Sequence, residues 1–323
     1  MATTIGARGD IEAEVRAATA EALPHPGTGG TWERFAALAE IARADLSVAK
    51  LAEPHHDATA ILQDLGGPAP RPGSLWGVWA AEPPFAKLTA VRRPDWCLDG
   101  TKAFCSGATM VSDALVTAET DDGPRLFAVD MDQARADSSA DVADPDWVGP
   151  GMRAADTRTV HVHHLPAEPV GPVRGYLDRP GFWHGAAGIA ACWLGGAQGL
   201  ALPLRTAADK GRLDGHGLAH LGAVTALLDA ARAHLLDVAR RIDAAPDDTT
   251  AARRWALSVR ATLAGCVEQL VVHVGRALGP GPLAFDADHA RRQADLQVFI
   301  RQQHAERDLA ELGDLVRAGG EQR

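Results

Sequence analysis

His161, His163 and His164 are residues whose type and spacing could do chemistry. Alternate residues of a strand share a face, so the first two could reach one metal ion. A third ligand at credible spacing is missing, and a solvated strand edge is the stronger reading. His304-Ala305-Glu306 repeats the H-x-E of zinc deaminases, but no P-C-x-x-C follows it. The 4 cysteines, Cys97, Cys105, Cys192 and Cys266, form no C-x-x-C pair, so reduced buried thiols are expected rather than disulfides or a zinc site. No metal is therefore expected. Neither GxxxxGK[ST] nor a GxGxxG after a strand is present, which removes P-loop and Rossmann sites. Gly279-Pro280-Gly281 is a turn whose glycines can offer backbone N–H groups to a pyrophosphate, Pro280 contributing none.

The elements that must position these residues read clearly. Residues 10–65 recur in apolar character at three and four residues and are expected to be helical. Gly66-Gly67-Pro68, Pro70 and Pro72 break that pattern. From Ser74 to about Leu165 the pattern is strand-like, with Asp99-Gly100 as a turn signal and residues 132–158 as a polar loop. After Gly175 four helices are expected at about 181–209, 217–243, 249–277 and 287–317, with Pro246 and Gly279-Pro280-Gly281-Pro282 separating the last three. Four helices with short connections make a bundle. The expected division is a helical region at 1–73, a small β domain at 74–165 and a helical bundle at 166–323.

Composition bounds the partners. The chain has 323 residues, 46% hydrophobic and 23% charged, which is ordinary for a globular protein of two or three domains. A formal net charge of −10 argues against nucleic acid or an anionic membrane as the main partner. No run of eighteen apolar residues is present and the first residues lack the apolar core of a signal peptide, so a cytoplasmic protein is expected.

A β island between Ala-rich helical regions is uncommon, and here it resembles the acyl-CoA dehydrogenase family. Three motifs carry the resemblance: Ala81-Glu82-Pro83 for the family's Thr-Glu-Pro-like tripeptide, Gly100-Thr101-Lys102-Ala103-Phe104-Cys105-Ser106 for its Gly-x-Lys-x-aromatic-x-Ser/Thr run, and Gly279-Pro280-Gly281 before the last long helix. The resemblance implies an α+β, mostly helical fold: helical N-terminal region, small β domain and C-terminal four-helix bundle. It also implies a flavoenzyme holding FAD, an acyl-CoA-like substrate, and a homodimer or homotetramer. The N-terminal region is about seventy-three residues, shorter than the family's, and Pro84-Phe85-Ala86-Lys87 replaces its Gly-Ser-Asp loop.

An isoalloxazine ring needs an apolar wall and hydrogen-bond donors along its polar edge. Carried over from the family, these contacts fall on Trp79, Ala80 and Ala81, then on Phe104, Cys105 and Ser106. Trp79 and Phe104 also suit a plain β-domain core. Arg212 is matched to a cofactor-binding Arg of the family, and Gly279 and Gly281 to its contact from the neighbouring subunit. Arg212 reads equally as a surface cation near a helix C-terminus.

The family's catalytic Glu has no counterpart. One position for it falls at Gln302 or Gln303, and the other in the carboxylate-free stretch Gly188–Ala190. A positioned base is worth about 10²–10⁴ in rate. His304 is the best replacement, one residue from Gln303, with His184 second, and His304 reads also as an exposed or capping residue in the polar run of Arg301, Gln302, Gln303, Glu306 and Arg307. The leading expectation is an FAD-dependent oxidoreductase of acyl-CoA dehydrogenase type. Two others stay open: a flavin monooxygenase of the same fold, and a non-catalytic partner subunit of a heteromeric dehydrogenase.

Overall fold

The computed structural model describes residues 8–320. The very start of the chain, on which the missing signal peptide is read, lies outside the described residues. The chain divides into two compact units that interleave in sequence. Unit 1 draws on Met1–Ala22, Lys50–Gly149 and Arg153–Phe182, and unit 2 on Leu23–Ala49, Pro150–Met152 and Trp183–Arg323.

The N-terminal helices are α1 (Arg8–Ala18), α2 (Thr31–Ala44) and α3 (Leu46–Leu65), and α3 is shared between the units. Unit 1 is built on eight strands: β1 (Trp76–Trp79), β2 (Leu88–Arg92), β3 (Trp96–Cys105), β4 (Asp113–Thr120), β5 (Gly123–Asp130), β6 (Ala140–Val142), β7 (Arg158–Pro166) and β8 (Glu168–Val170). The order is β6-β7-β3-β2-β4-β5-β8, with β1 branching off parallel to β4. The path is open, running from β6 to β8. Ile61 and Leu62 of α3 pack with Trp76, Leu115, Leu126 and Val170 to form its core.

Two sequence expectations change here. Asp99-Gly100 is not a turn between strands: β3 runs through it, and the register against β7 shifts between Leu98 and Gly100. Gly100 takes φ +124°, which a side chain would resist, and so absorbs the irregularity inside one strand. The segment expected as loop at 132–158 holds the short helix α4 (Met131–Ala136), β6 and a 3₁₀ turn at Arg153–Ala155.

After α5 (Gly175–Asp178), the helices are α6 (Pro180–Asp209), α7 (Gly215–Ala244), α8 (Thr249–Leu278), α9 (Gly281–Phe285), α10 (Ala287–Phe299) and α11 (Glu306–Gly320). Aspartates start three of them: the side chains of Asp214, Asp248 and Asp286 accept backbone N–H groups of Gly217, Ala251 and His289 at 2.8, 2.9 and 3.0 Å. The expected helix at 287–317 is broken. A 3₁₀ turn at Ile300–Gln302 and a left-handed Ala305 (φ +46°) separate α10 from α11. α6 and α8 have the length and apolarity of membrane spans, but the apolar window of α6 is 78% buried within the protein, as for a core helix.

Candidate functional site

In unit 1, the carried-over positions meet where β1 and β3 end. Trp79 is buried, and its indole N–H donates to the Ser106 carbonyl at 3.0 Å. Its ring is therefore part of the core of the unit. Ala80 is half-buried and Ala81 exposed. Cys105 is buried and Phe104 exposed, where the register of β3 against β7 shifts between Lys102 and Cys105. The Cys105 thiol donates to the Lys102 carbonyl at 3.3 Å, and burial drives its pKa far above the ordinary thiol range, Lys102 opposing weakly. The Cys105 side chain thereby belongs to the core of the unit.

Phe104 is the unusual residue. It sits at φ +59°, in the left-handed region that costs a substituted residue about 1–2 kcal/mol, with its ring half-exposed. The exposed Phe85 packs against it edge-on, ring centroids 6.0 Å apart. The neighbouring Ser106 hydroxyl lies 3.0 Å from the Thr157 hydroxyl. Asp156 fixes that corner: its carboxylate accepts from the Thr109 hydroxyl at 2.5 Å and from Arg158 at 2.6 Å. The Gly107 N–H donates to the Ala155 carbonyl at 2.8 Å. The half-exposed Phe104 thus precedes by two residues a serine whose hydroxyl pairs with that of Thr157.

The motif lysine has a different job. Lys102 is buried, its Nζ donating to the Thr117 carbonyl and hydroxyl, each at 2.8 Å, with Glu82 at 3.7 Å. Burial lowers its pKa, and Glu82 partly offsets that. It ties β3 to β4.

In unit 2, His304 stands just before α11. Its backbone N–H donates to Asp308 at 3.0 Å, and its Nδ1 lies 3.4 Å from the other carboxylate oxygen. The ring is largely exposed. Gln303, half-buried, is the C-cap of the 3₁₀ turn. That turn is held from beneath by Arg260, which is buried and donates to the Gln302 carbonyl at 2.7 Å and to the Ala186 carbonyl of α6 at 3.1 Å. Its guanidinium lies over the Trp193 ring, 4.8 Å from the centroid. His184 is buried in α6.

Arg212 is exposed in the turn after α6, and Gly279 caps α8 at φ +66°. Arg212 precedes α7 and Gly279 follows α8. The contact between His220 and His273 (3.0 Å) sets these two helices antiparallel, so Arg212 and Gly279 lie at the same end of the pair. Gly281 opens the five-residue α9. A Cβ on Gly279 or Gly281 would meet nothing within 4 Å. Of the three histidines first considered, His161 bonds to Thr101 at 3.0 Å and His164 pairs with Asp99 at 3.1 Å.

Sequence reasoning missed Thr157, Asp156 and Arg260. Thr157 lies 51 residues from Ser106 with no local signal. Arg260 carried only a weak one, a charge within an apolar helical pattern.

No family model and no curated protein matches the chain. Solved structures do. TdsC from Paenibacillus sp. A11-2, solved with FMN and indole, shares 21% identity over 95% of each chain with a TM-score of 0.76. The methanesulfinate monooxygenase MsuC from Pseudomonas fluorescens shares 18% identity over 96% of this chain and 95% of its own, with a TM-score of 0.75. KijD3, solved with dTDP, shares 17% identity over 100% of this chain and 99% of its own, also with a TM-score of 0.75. These likenesses establish the fold, which is that of the acyl-CoA dehydrogenase-type flavoenzymes.

Proposed function

We propose that this protein is a flavin-dependent monooxygenase that holds FMN against the end of β3. The observation that carries the reading is Phe104, a half-exposed aromatic kept in a left-handed conformation beside the Ser106 and Thr157 hydroxyls. Such strain persists where the surroundings impose it, and it gathers at functional sites. The residues fit a flavin: Phe104 and Phe85 supply an apolar wall, and the two hydroxyls supply hydrogen bonds for a polar ring edge. When bound and reduced, the flavin would supply electrons to O₂ so that one oxygen atom passes to substrate.

FMN is favoured over FAD for two reasons. The Ala81–Lys87 loop lacks the phosphate-holding Gly-Ser-Asp of the FAD enzymes it resembles. TdsC and KijD3, of like fold, were solved with FMN. Monooxygenation is favoured over acyl-thioester dehydrogenation because no carboxylate stands in residues 300–305 or at Gly188–Ala190 of α6, so α-proton abstraction lacks its base. MsuC, a monooxygenase by name, supports the same choice. In this reading Arg260 fixes the turn that carries His304. We place the enzyme in the cytoplasm as a homo-oligomer.

The test is oxygen uptake by the purified protein with FMN, NADH and a flavin reductase, across a panel of aromatic and sulfur-containing substrates, alongside anaerobic titration with acyl-CoA. Substrate-dependent oxygen incorporation with no bleaching by acyl-CoA supports the proposal. Bleaching by acyl-CoA overturns it in favour of a dehydrogenase. Failure to take up any flavin overturns it in favour of a partner subunit.

A further inference from the structure

Within unit 2, a cavity of about 300 Å³ lies between α7, α8 and α11. That is the lower end of the size range of small-molecule sites, about 300–1,000 Å³. It lies toward the end of the α7/α8 pair opposite Arg212 and Gly279. At 1.5 Å per helical residue, the 25 positions from Arg254 to Gly279 span roughly 37 Å. The groove is thus separate from the candidate cofactor contacts of that unit.

Its lining combines three chemistries. Trp255 of α8 is half-buried and, with Leu312 and Val316 of α11, forms an apolar wall. Arg241 of α7 is matched by Asp237 at 2.7 Å. Arg254 has no carboxylate partner among the described residues, so the groove keeps an unmatched guanidinium within a chain of formal net charge −10. Burial holds the His234 imidazole below its ordinary value, Asp237 opposing, so it adds little positive charge near neutral pH. The wall is fastened independently of any ligand. Arg253 pairs with Glu311 at 2.5 Å, tying α11 to α8 one residue from Leu312.

We propose that this groove binds a small aromatic carboxylate, its ring on Trp255 and its anion on Arg254. A guanidinium meets a planar carboxylate through two parallel N–H bonds, which gives an anion with a flat apolar body an advantage over a neutral one. The volume admits one or two fused rings.

The experiment is calorimetric titration of the full chain with 2-naphthoate and with its neutral isostere 2-naphthamide, paired with sedimentation velocity. The acid should bind about tenfold more tightly than the amide, as a charge-assisted contact predicts. Arg254→Gln, on an exposed position, should remove that difference without changing the amide affinity. Trp255→Leu should weaken both. The proposal is overturned if the acid does not bind, or if Arg254→Gln leaves the acid affinity unchanged. It is also overturned if the two variants shift the oligomeric state while the acid fails to bind, which would make the groove an interface between copies.

Discussion

The indole N–H of Trp79 donates to the main-chain carbonyl of Ser106 at 3.0 Å, joining the last residue of β1 to the first residue beyond β3. β1 pairs with β4, not with β3, so this bond bridges strands that the sheet itself does not pair. It holds the Ser106 backbone while the Ser106 hydroxyl faces Thr157. The tryptophan is thus a support for the candidate site, buried behind the surface that Phe104 presents.

Trp79→Phe keeps the ring and deletes the donor. A part-buried carbonyl left unmatched costs about 1–3 kcal/mol, so urea unfolding should show a loss in that range. Flavin affinity should fall with it, because Ser106 loses its anchor.

Phe104→Gly separates stability from binding. Glycine relieves the left-handed strain but adds unfolded-state entropy, so net stability should change by no more than about 1 kcal/mol. FMN affinity, read by fluorescence quenching, should drop about tenfold or more through loss of aromatic burial. A variant that binds FMN like the parent would leave Phe104 a strained surface residue with no role in binding.

Arg260→Ala removes two hydrogen bonds from a buried cation to the carbonyls of Ala186 and Gln302. Bonds to charged groups contribute about 1.5–3 kcal/mol each, and the variant should lose at least that much as measured by thermal unfolding. Protease cleavage between Gln303 and Glu306 should rise in the same variant, since the turn loses its tether.

Asp295 gives a pH prediction. It is almost fully buried, accepts the Met152 N–H at 2.5 Å and lies near Arg291 and Asp45. Burial raises its pKa above 3.8, the Met152 N–H and Arg291 opposing and Asp45 reinforcing. The folded state then holds the proton more tightly than the unfolded chain, so stability from this group is fully present below pH 3.8 and lost as pH rises through the folded value. Asp295→Asn lacks that loss. Its stability relative to the parent should increase as pH rises from 4 toward neutral, as followed by urea midpoints at each pH.

Gly195 tests the bundle packing. A Cβ there would land on the Ala39 carbonyl of α2, and one on Gly196 would press on Leu46. Gly195→Ala should cost about 1–3 kcal/mol by overpacking, despite the better helix propensity of alanine.

Most of the fold was legible because hydrophobic period and punctuation agree. Helices α6, α7 and α8 start and stop within two residues of where apolar spacing, Pro246 and the Gly279–Pro282 break place them. Asp99-Gly100 misled because a glycine at positive φ serves a bulge as well as a turn. The last helix was over-extended because nothing in the polar run Arg301–Glu306 marks the left-handed Ala305. The site was legible only in part. Phe104 and Ser106 stand out by their motif, whereas the burial of the Trp79 ring and the Cys105 thiol is visible only in the folded sheet. Thr157 and Arg260 act through contacts 51 and 42 residues away in the chain, beyond any local pattern.

The central claim is that Phe104, Ser106 and Thr157 hold a flavin. Its most direct test is the visible absorption spectrum of the purified protein after incubation with FMN and desalting, beside Phe104→Gly treated identically. Flavin bands retained by the parent and lost by the variant are the predicted result. A colourless parent, or equal retention by both, would contradict the assignment.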